Sequence, residues 1–178
     1  MKTKKFEVAS AQSNIDWIGK KVTGAHNGNI AIKSGELILT EDQLSGGSFT
    51  IDVTSINILD ITDPATNAQF AGHLFSEDFF SVDRFPEAFF TITSSTQTAY
   101  DKYLITGELT IKGITHPVSF PATIFIEGDN VTATGRITID RTKYEMKFRS
   151  GNFFTNLGDT LIYNEFDLDV KLTAIATL

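Results

Sequence analysis

Apolar residues recur at every second position through most of this chain, and that period admits few folds. Tyr103, Ile105, Gly107, Leu109 and Ile111 share one face, with Thr106, Glu108 and Thr110 on the other. Val118, Phe120, Ala122, Ile124 and Ile126 alternate in the same way, as do Val131, Ala133, Gly135, Ile137 and Ile139. A last run carries Ile162, Phe166, Leu168, Val170, Leu172 and Ala174 on one face. A period of two buries one side of a strand and leaves the other wet, which is the pattern of an antiparallel sheet. Turn residues such as Gly128-Asp129-Asn130 punctuate the runs at hairpin spacing.

The first half follows the same rule less cleanly. Residues 6–10 read as a first strand, and residues 14–24 as the next, with Ile15, Trp17 and Gly19 on one face. Ala25-His26-Asn27-Gly28 reads as a turn, and residues 29–39 as a strand broken by a bulge at Ser34-Gly35. A polar turn over residues 40–47 leads to a strand over 48–58, where Phe49, Ile51 and Val53 alternate. Phe90, Ile92 and Ser94 alternate after Pro86, and residues 112–117 read as a connection. About eight strands of this length close as a barrel or pack as a sandwich. Hairpin order with a single insertion favours an all-β, eight-stranded antiparallel up-and-down barrel, one domain over residues 1–178.

The insertion breaks the period. Asp63-Pro64 reads as a helix start, an N-cap followed by proline at the first helical position. Phe70 and Leu74 then fall on one face of a short helix ending near Phe75. A kink with Phe79-Phe80 follows, and Phe85-Pro86 forces an extended exit. Residues 73–90 hold six of the chain's 15 Phe. These rings either close one end of a packed core or form the mouth of an apolar cavity.

Composition narrows the chemistry. There are 15 Phe against 4 Tyr and 1 Trp, and Phe brings apolar area with no polar handle. A net charge of -7 argues against nucleic acid as a partner. The chain has no cysteine, which excludes disulfides, thiolate metal sites and cysteine nucleophiles. Lys2, Lys4 and Lys5 are not followed by the apolar run of an export signal, nor is there a membrane-spanning run anywhere. The expectation is a cytoplasmic chain with no stable membrane insertion, or a periplasmic one had a signal been removed ahead of Met1. A homodimer is left open.

Catalytic patterns are sparse. His26, His73 and His116 show no metal-ligand spacing, so no metal or other cofactor is expected. His26 and His116 sit beside turns, where a solvated imidazole is the ordinary explanation, while His73 lies in the Phe-rich segment. Glu165, Asp167 and Asp169 fall on a wet strand face. Arg141, Lys143, Lys147 and Arg149 form the one basic cluster, readable as surface charge or as an anion site for a phosphate or carboxylate head group.

Three segments together resemble the YceI-like proteins, a lipocalin-like group of polyisoprenoid-binding barrels. The first runs from His73-Leu74 through Asp78-Phe79-Phe80 to Phe85-Pro86 and Phe90. The second is Thr106-Gly107-Glu108-Leu109-Thr110-Ile111-Lys112-Gly113-Ile114-Thr115-His116-Pro117-Val118, and the third is Ile139-Asp140-Arg141-Thr142-Lys143-Tyr144. Two positions depart from the family pattern. Glu145 stands where glycine usually follows the third box, and Gly72 precedes His73 where a polar residue is common.

The resemblance implies an eight-stranded barrel with an inserted helix and an elongated apolar pocket for an isoprenoid tail. On that reading the chain is a non-catalytic carrier or sequestering protein for a long-chain isoprenoid or similar amphiphilic lipid. Trp17, Phe49, Ile51, Phe90, Leu109, Phe120, Ile124 and Ile137 would face the lipid inside. Phe70, Leu74, Phe79 and Phe80 would gate the mouth, and His73 and Arg141 would meet a polar head. The alternative is an enzyme acting on a small apolar substrate, with His73 or His116 as general base.

Overall fold

The structure, a computed structural model, describes residues 2–151, 153–155, 157–158 and 161–177. Met1 and Leu178, at the ends of the expected domain, lie outside the described residues, as does Asn156, where the irregular, basic, Phe-bearing stretch expected from Arg141 onward ends. Among the described residues nine strands form one antiparallel sheet: β1 (Thr3–Val8), β2 (Asn14–Lys21), β3 (Gly24–Thr40), β4 (Gln43–Ile58), β5 (Glu87–Ala99), β6 (Lys102–Ile111), β7 (Ile114–Glu127), β8 (Asn130–Asp140) and β9 (Ile162–Ala176). The helix α1 (Pro64–Phe75) sits between β4 and β5. The strand order is β1-β3-β2-β9-β8-β7-β6-β5-β4, and pairing of β3 with β4 closes the ring.

Nine strands make eight staves. β1 and β2 both lie between β3 and β9, running the same way along the same neighbours. They form one stave interrupted by a 3₁₀ turn at Ser10–Gln12. The result is the closed eight-stranded barrel that the period implies, with no free sheet edge.

Several turns are tighter than the sequence suggests. The polar stretch over residues 40–47 turns only at Glu41-Asp42, both with positive φ (52° and 64°), and β4 begins at Gln43. Lys112-Gly113 (φ 55° and 73°) turns between β6 and β7, so Pro117 lies within a strand opposite Glu108. Two left-handed residues match the twist of the flanking strands, so a ladder keeps pairing up to them. The expected turn at residues 25–28 is also a strand: His26, Asn27 and Gly28 pair with Gly19, Ile18 and Trp17, and the chain turns at Val22-Thr23. The bulge expected at Ser34-Gly35 appears as a register shift between Ile32 and Ser34. A second shift, between Ile92 and Ser94, sends Ser94 outward, against the expected alternation, and turns Ser95 inward.

The two ends of the barrel differ. At the lower end the staves meet in the hairpins at Glu41-Asp42, Tyr100-Asp101 and Gly128-Asp129, and Phe6, Leu37, Leu39, Tyr103, Val131 and Ala174 fill the interior. The upper end carries two long connections, α1 with its flanks and residues 141–161. Asp63 caps α1 by accepting the Thr66 N–H at 2.9 Å, and Pro64 follows as the first helical residue. Tyr144, Met146 and Ile139 pack beneath the second connection as a plug against Leu109 and Ile111.

Inside the wall, aromatic rings lie over glycines. Trp17 pairs across the ladder with Gly28, and Phe49 with Gly35. A Cβ on Gly28 would overlap the Asn57 carbonyl oxygen and lie 2.6 Å from the Trp17 ring. A Cβ on Gly107 would likewise overlap the ring of Phe90. The missing side chains let the rings lie flat along the barrel wall. Gly28→Ala should therefore destabilise the protein by about 2 kcal/mol or more, since a packed wall must shift to admit the methyl. Gly72→Ala is the control: nothing lies within 4 Å of that position on α1, so the change should stabilise by about 0.5–1 kcal/mol. Denaturant titration of both variants checks the pair.

Candidate functional site

The barrel encloses a cavity of about 470 Å³, within the range of roughly 300–1,000 Å³ typical of ligand pockets. Every residue expected to face a lipid lines it. Trp17 of β2, Phe49 and Ile51 of β4 and Phe90 of β5 form one side. Leu109 of β6, Phe120 and Ile124 of β7 and Ile137 of β8 form the other. Phe70 and Leu74 of α1, with Phe79 and Phe80 after it, cover the top, and His73 and Arg141 also reach the cavity. Phe49, Phe90 and Phe120 make a continuous aromatic strip, with centroids 6.2 and 5.8 Å apart. The Trp17 indole N–H donates to the Asn29 carbonyl at 3.2 Å, so its one polar atom is satisfied by the wall rather than by the interior.

One side of the upper end is fastened by polar staples. Arg141 is only 4% exposed, and its guanidinium donates to the carbonyls of Tyr163 (2.9 Å), Ile162 (3.1 Å) and Met146. Burial pushes its pKa down, with Asp140 acting the other way. Arg141 thus ties the turn after β8 to the start of β9, and it enters the cavity wall already committed to backbone. Lys112 donates to the carbonyls of Glu77 and Glu145, joining three upper connections.

His116 is not solvated as expected. Its Nε2 donates to the Lys143 carbonyl at 2.9 Å and its ring meets Tyr144 edge-on, because β7 starts four residues earlier than the sequence suggests and brings it under that turn. Glu145 takes the left-handed conformation (φ 61°) that explains why glycine is usual there.

The other side is held more lightly. No residue of α1 is fully buried. His26, expected to be solvated beside a turn, instead bonds Asp60 through Nδ1 at 2.7 Å and packs against Phe70 at 4.8 Å. It can do so because it sits inside β3, facing the chain that leads into α1. Burial opposes the Asp60 charge, but the bonds from His26 and from the Asn27 N–H together hold its pKa below the usual value. His73 bonds Asp78 at 2.9 Å and meets Phe79 and Phe148 edge-on. Two histidine–carboxylate pairs and their rings hold the cover in place, together with Asn67 of α1, which donates to the Ile58 and Ile61 carbonyls at 3.0 Å, and the mouth opens between α1, the ends of β2 and β3, and the start of β9.

Sequence reasoning missed Phe148 and Met146, which line the cavity from a segment with no period to betray them. It also missed Lys21, whose place on the Trp17 and Gly19 face is a readable signal once β2 is known to reach the mouth. Arg141→Ala should destabilise the protein by about 3 kcal/mol or more, since it strands buried carbonyls. Denaturant unfolding of ligand-free protein checks this; a change below about 1 kcal/mol would show that water replaces the guanidinium.

The profile of the YceI-like domain matches residues 6–174. The UPF0312 protein plu2095 of Photorhabdus laumondii is 34% identical over 119 residues, covering 63% of this chain and 61% of that protein, so the match spans less than two thirds of its length. Protein YceI of Escherichia coli O157:H7 is 31% identical over 136 residues, 72% of this chain and 69% of that one. In structure, the chain resembles a polyisoprenoid binding domain from Saccharophagus degradans implicated in plant cell wall breakdown, with a TM-score of 0.72 at 13% identity over 97% of this chain and 98% of that one. The profile covers nearly the whole barrel and all three motifs, and the chain belongs to the YceI-like family.

Proposed function

We propose that this protein binds a long-chain isoprenoid or similar amphiphilic lipid by its tail inside the barrel, and carries or sequesters it without chemical change. The observation that carries this reading is the apolar cavity of about 470 Å³, walled by rings and aliphatic side chains and opening at one end. The structural neighbour described as a polyisoprenoid binding domain supports it. Burial of ten methylenes contributes on the order of 8 kcal/mol before the costs of association. A tail can therefore be held at useful affinity with few polar contacts. Such a site discriminates loosely in tail chemistry and more sharply in length.

The rival reading needs a general base aimed at a substrate. His116 does not line the cavity, and its Nε2–H is engaged by the Lys143 carbonyl. His73 does line it, with Nε2 on Asp78 and its ring packed edge-on to Phe79 and Phe148 as part of the cover. The carrier reading uses the same residues without asking for chemistry from either.

Single substitutions of Leu109, Ile124 and Ile137 to Trp distinguish an open cavity from a packed core. In a filled interior the added ring displaces neighbours at a cost of typically about 1–3 kcal/mol. In this barrel it enters open space. At least one variant should melt, lipid-free, within about 1 kcal/mol of the parent while losing uptake of a long tail. Lipid-free protein is the reference, because bound ligand raises the melting temperature by mass action. Strong destabilisation of all three with no selective loss of uptake would overturn the proposal.

A further inference from the structure

Charge at the cavity runs against the charge of the chain. The chain has 15 Lys and Arg against 22 Asp and Glu. Around the cavity the fully charged side chains are Lys20, Lys21, Arg141 and Arg149 against Glu165 alone. Arg141 is bonded to backbone carbonyls, and Lys20 lies 3.8 Å from Asp167. The carboxylates of Asp60 and Asp78 are turned to His26 and His73. Lys21 and Arg149 make no ion pair among the described residues.

These two cations are neighbours. Lys21 pairs across the ladder with Ile162, and the Ile162 N–H donates to the Arg149 carbonyl at 2.9 Å. Lys21 follows Trp17 and Gly19 along the inward face of β2, at the stave's upper end. Arg149 has a left-handed φ of 52°, uncommon outside glycine, and its guanidinium lies over the Phe148 ring at 4.9 Å. Phe148 in turn packs on His73 under α1. The guanidinium is thus held at the rim of an apolar hole, with an ammonium one strand away across Ile162.

We propose that Lys21 and Arg149 form a head-group site that makes the protein selective for anionic amphiphiles, above all a prenyl phosphate over the matching alcohol. The inference rests on the carrier reading above. The tail enters first, and a phosphate monoester stops at the rim, where Arg offers a planar fork of donors and Lys a compact charge. Glu165, at the same rim, opposes an anion, and the two cations outnumber it.

The test compares three probes with one tail: geranylgeranyl monophosphate, geranylgeranoic acid and geranylgeraniol, each titrated into delipidated protein at low and high salt. At low salt the monophosphate should bind at least tenfold tighter than the alcohol, with the acid between them. The ratio should shrink in concentrated salt, which screens a rim-exposed site. It should also fall toward unity in the double variant Lys21→Ala, Arg149→Ala and recover in part with Lys21→Arg, Arg149→Lys. Equal binding of alcohol and monophosphate, or a preference that survives the double alanine variant, would overturn the head-group site and leave the carrier reading standing. Failure of all three probes to bind would overturn the carrier reading, and the head-group site with it.

Discussion

A closed barrel of eight staves has a fixed girth, and everything else in this structure follows from how that interior is occupied. Such a barrel is wide enough either to be filled by its own side chains or to hold one small ligand. Here the lower end is filled, by Phe6, Leu39, Tyr103 and their neighbours. Above it the largest inward residues do not meet across the middle. Trp17, Phe49 and Phe90 lie over Gly28, Gly35 and Gly107, flattened on the wall they belong to. Rings that would close a core in an ordinary β domain here pave a cavity, and the glycines beneath them make the room.

The upper end solves a second problem, that of closing a barrel without sealing it. Residues 141–150 are fixed by a buried guanidinium, a half-buried lysine and the His116 bond, all spent on backbone carbonyls. Helix α1 is tied to the wall by a neutral amide in place of a buried guanidinium: Asn67 donates to the Ile58 and Ile61 carbonyls at 3.0 Å each. It rests on Phe70, His73 and Leu74, which face the cavity, and on two histidine–carboxylate pairs. Elements with few buried contacts are the ones that open at low cost, so the asymmetry assigns the plug to one side and the way in to the other.

Much of this was legible in the sequence, for a physical reason. Period two survives in any strand with one wet face, so the staves and twelve of the apolar cavity residues could be read from alternation and from the Phe-rich insertion. Asp63-Pro64 announced α1 because capping is a local interaction. What depended on distant partners was not legible. Ala25-His26-Asn27-Gly28 has turn composition, but the ladder with β2 holds it extended. Arg141 looks like one more basic surface residue until the carbonyls of β9 are brought to it, some 21 residues further along the chain. Lys21 and Arg149 are far apart in sequence, and only the pairing of each with Ile162 makes them neighbours.

The central claim is that the interior is an occupied lipid site. Native mass spectrometry of protein purified without detergent, from a host that makes long-chain isoprenoids, tests it most directly. The account predicts an added mass of one amphiphile on most chains, lost after organic extraction and regained on adding the extract back. Bare polypeptide throughout, with no mass taken up from a supplied isoprenoid, would contradict it.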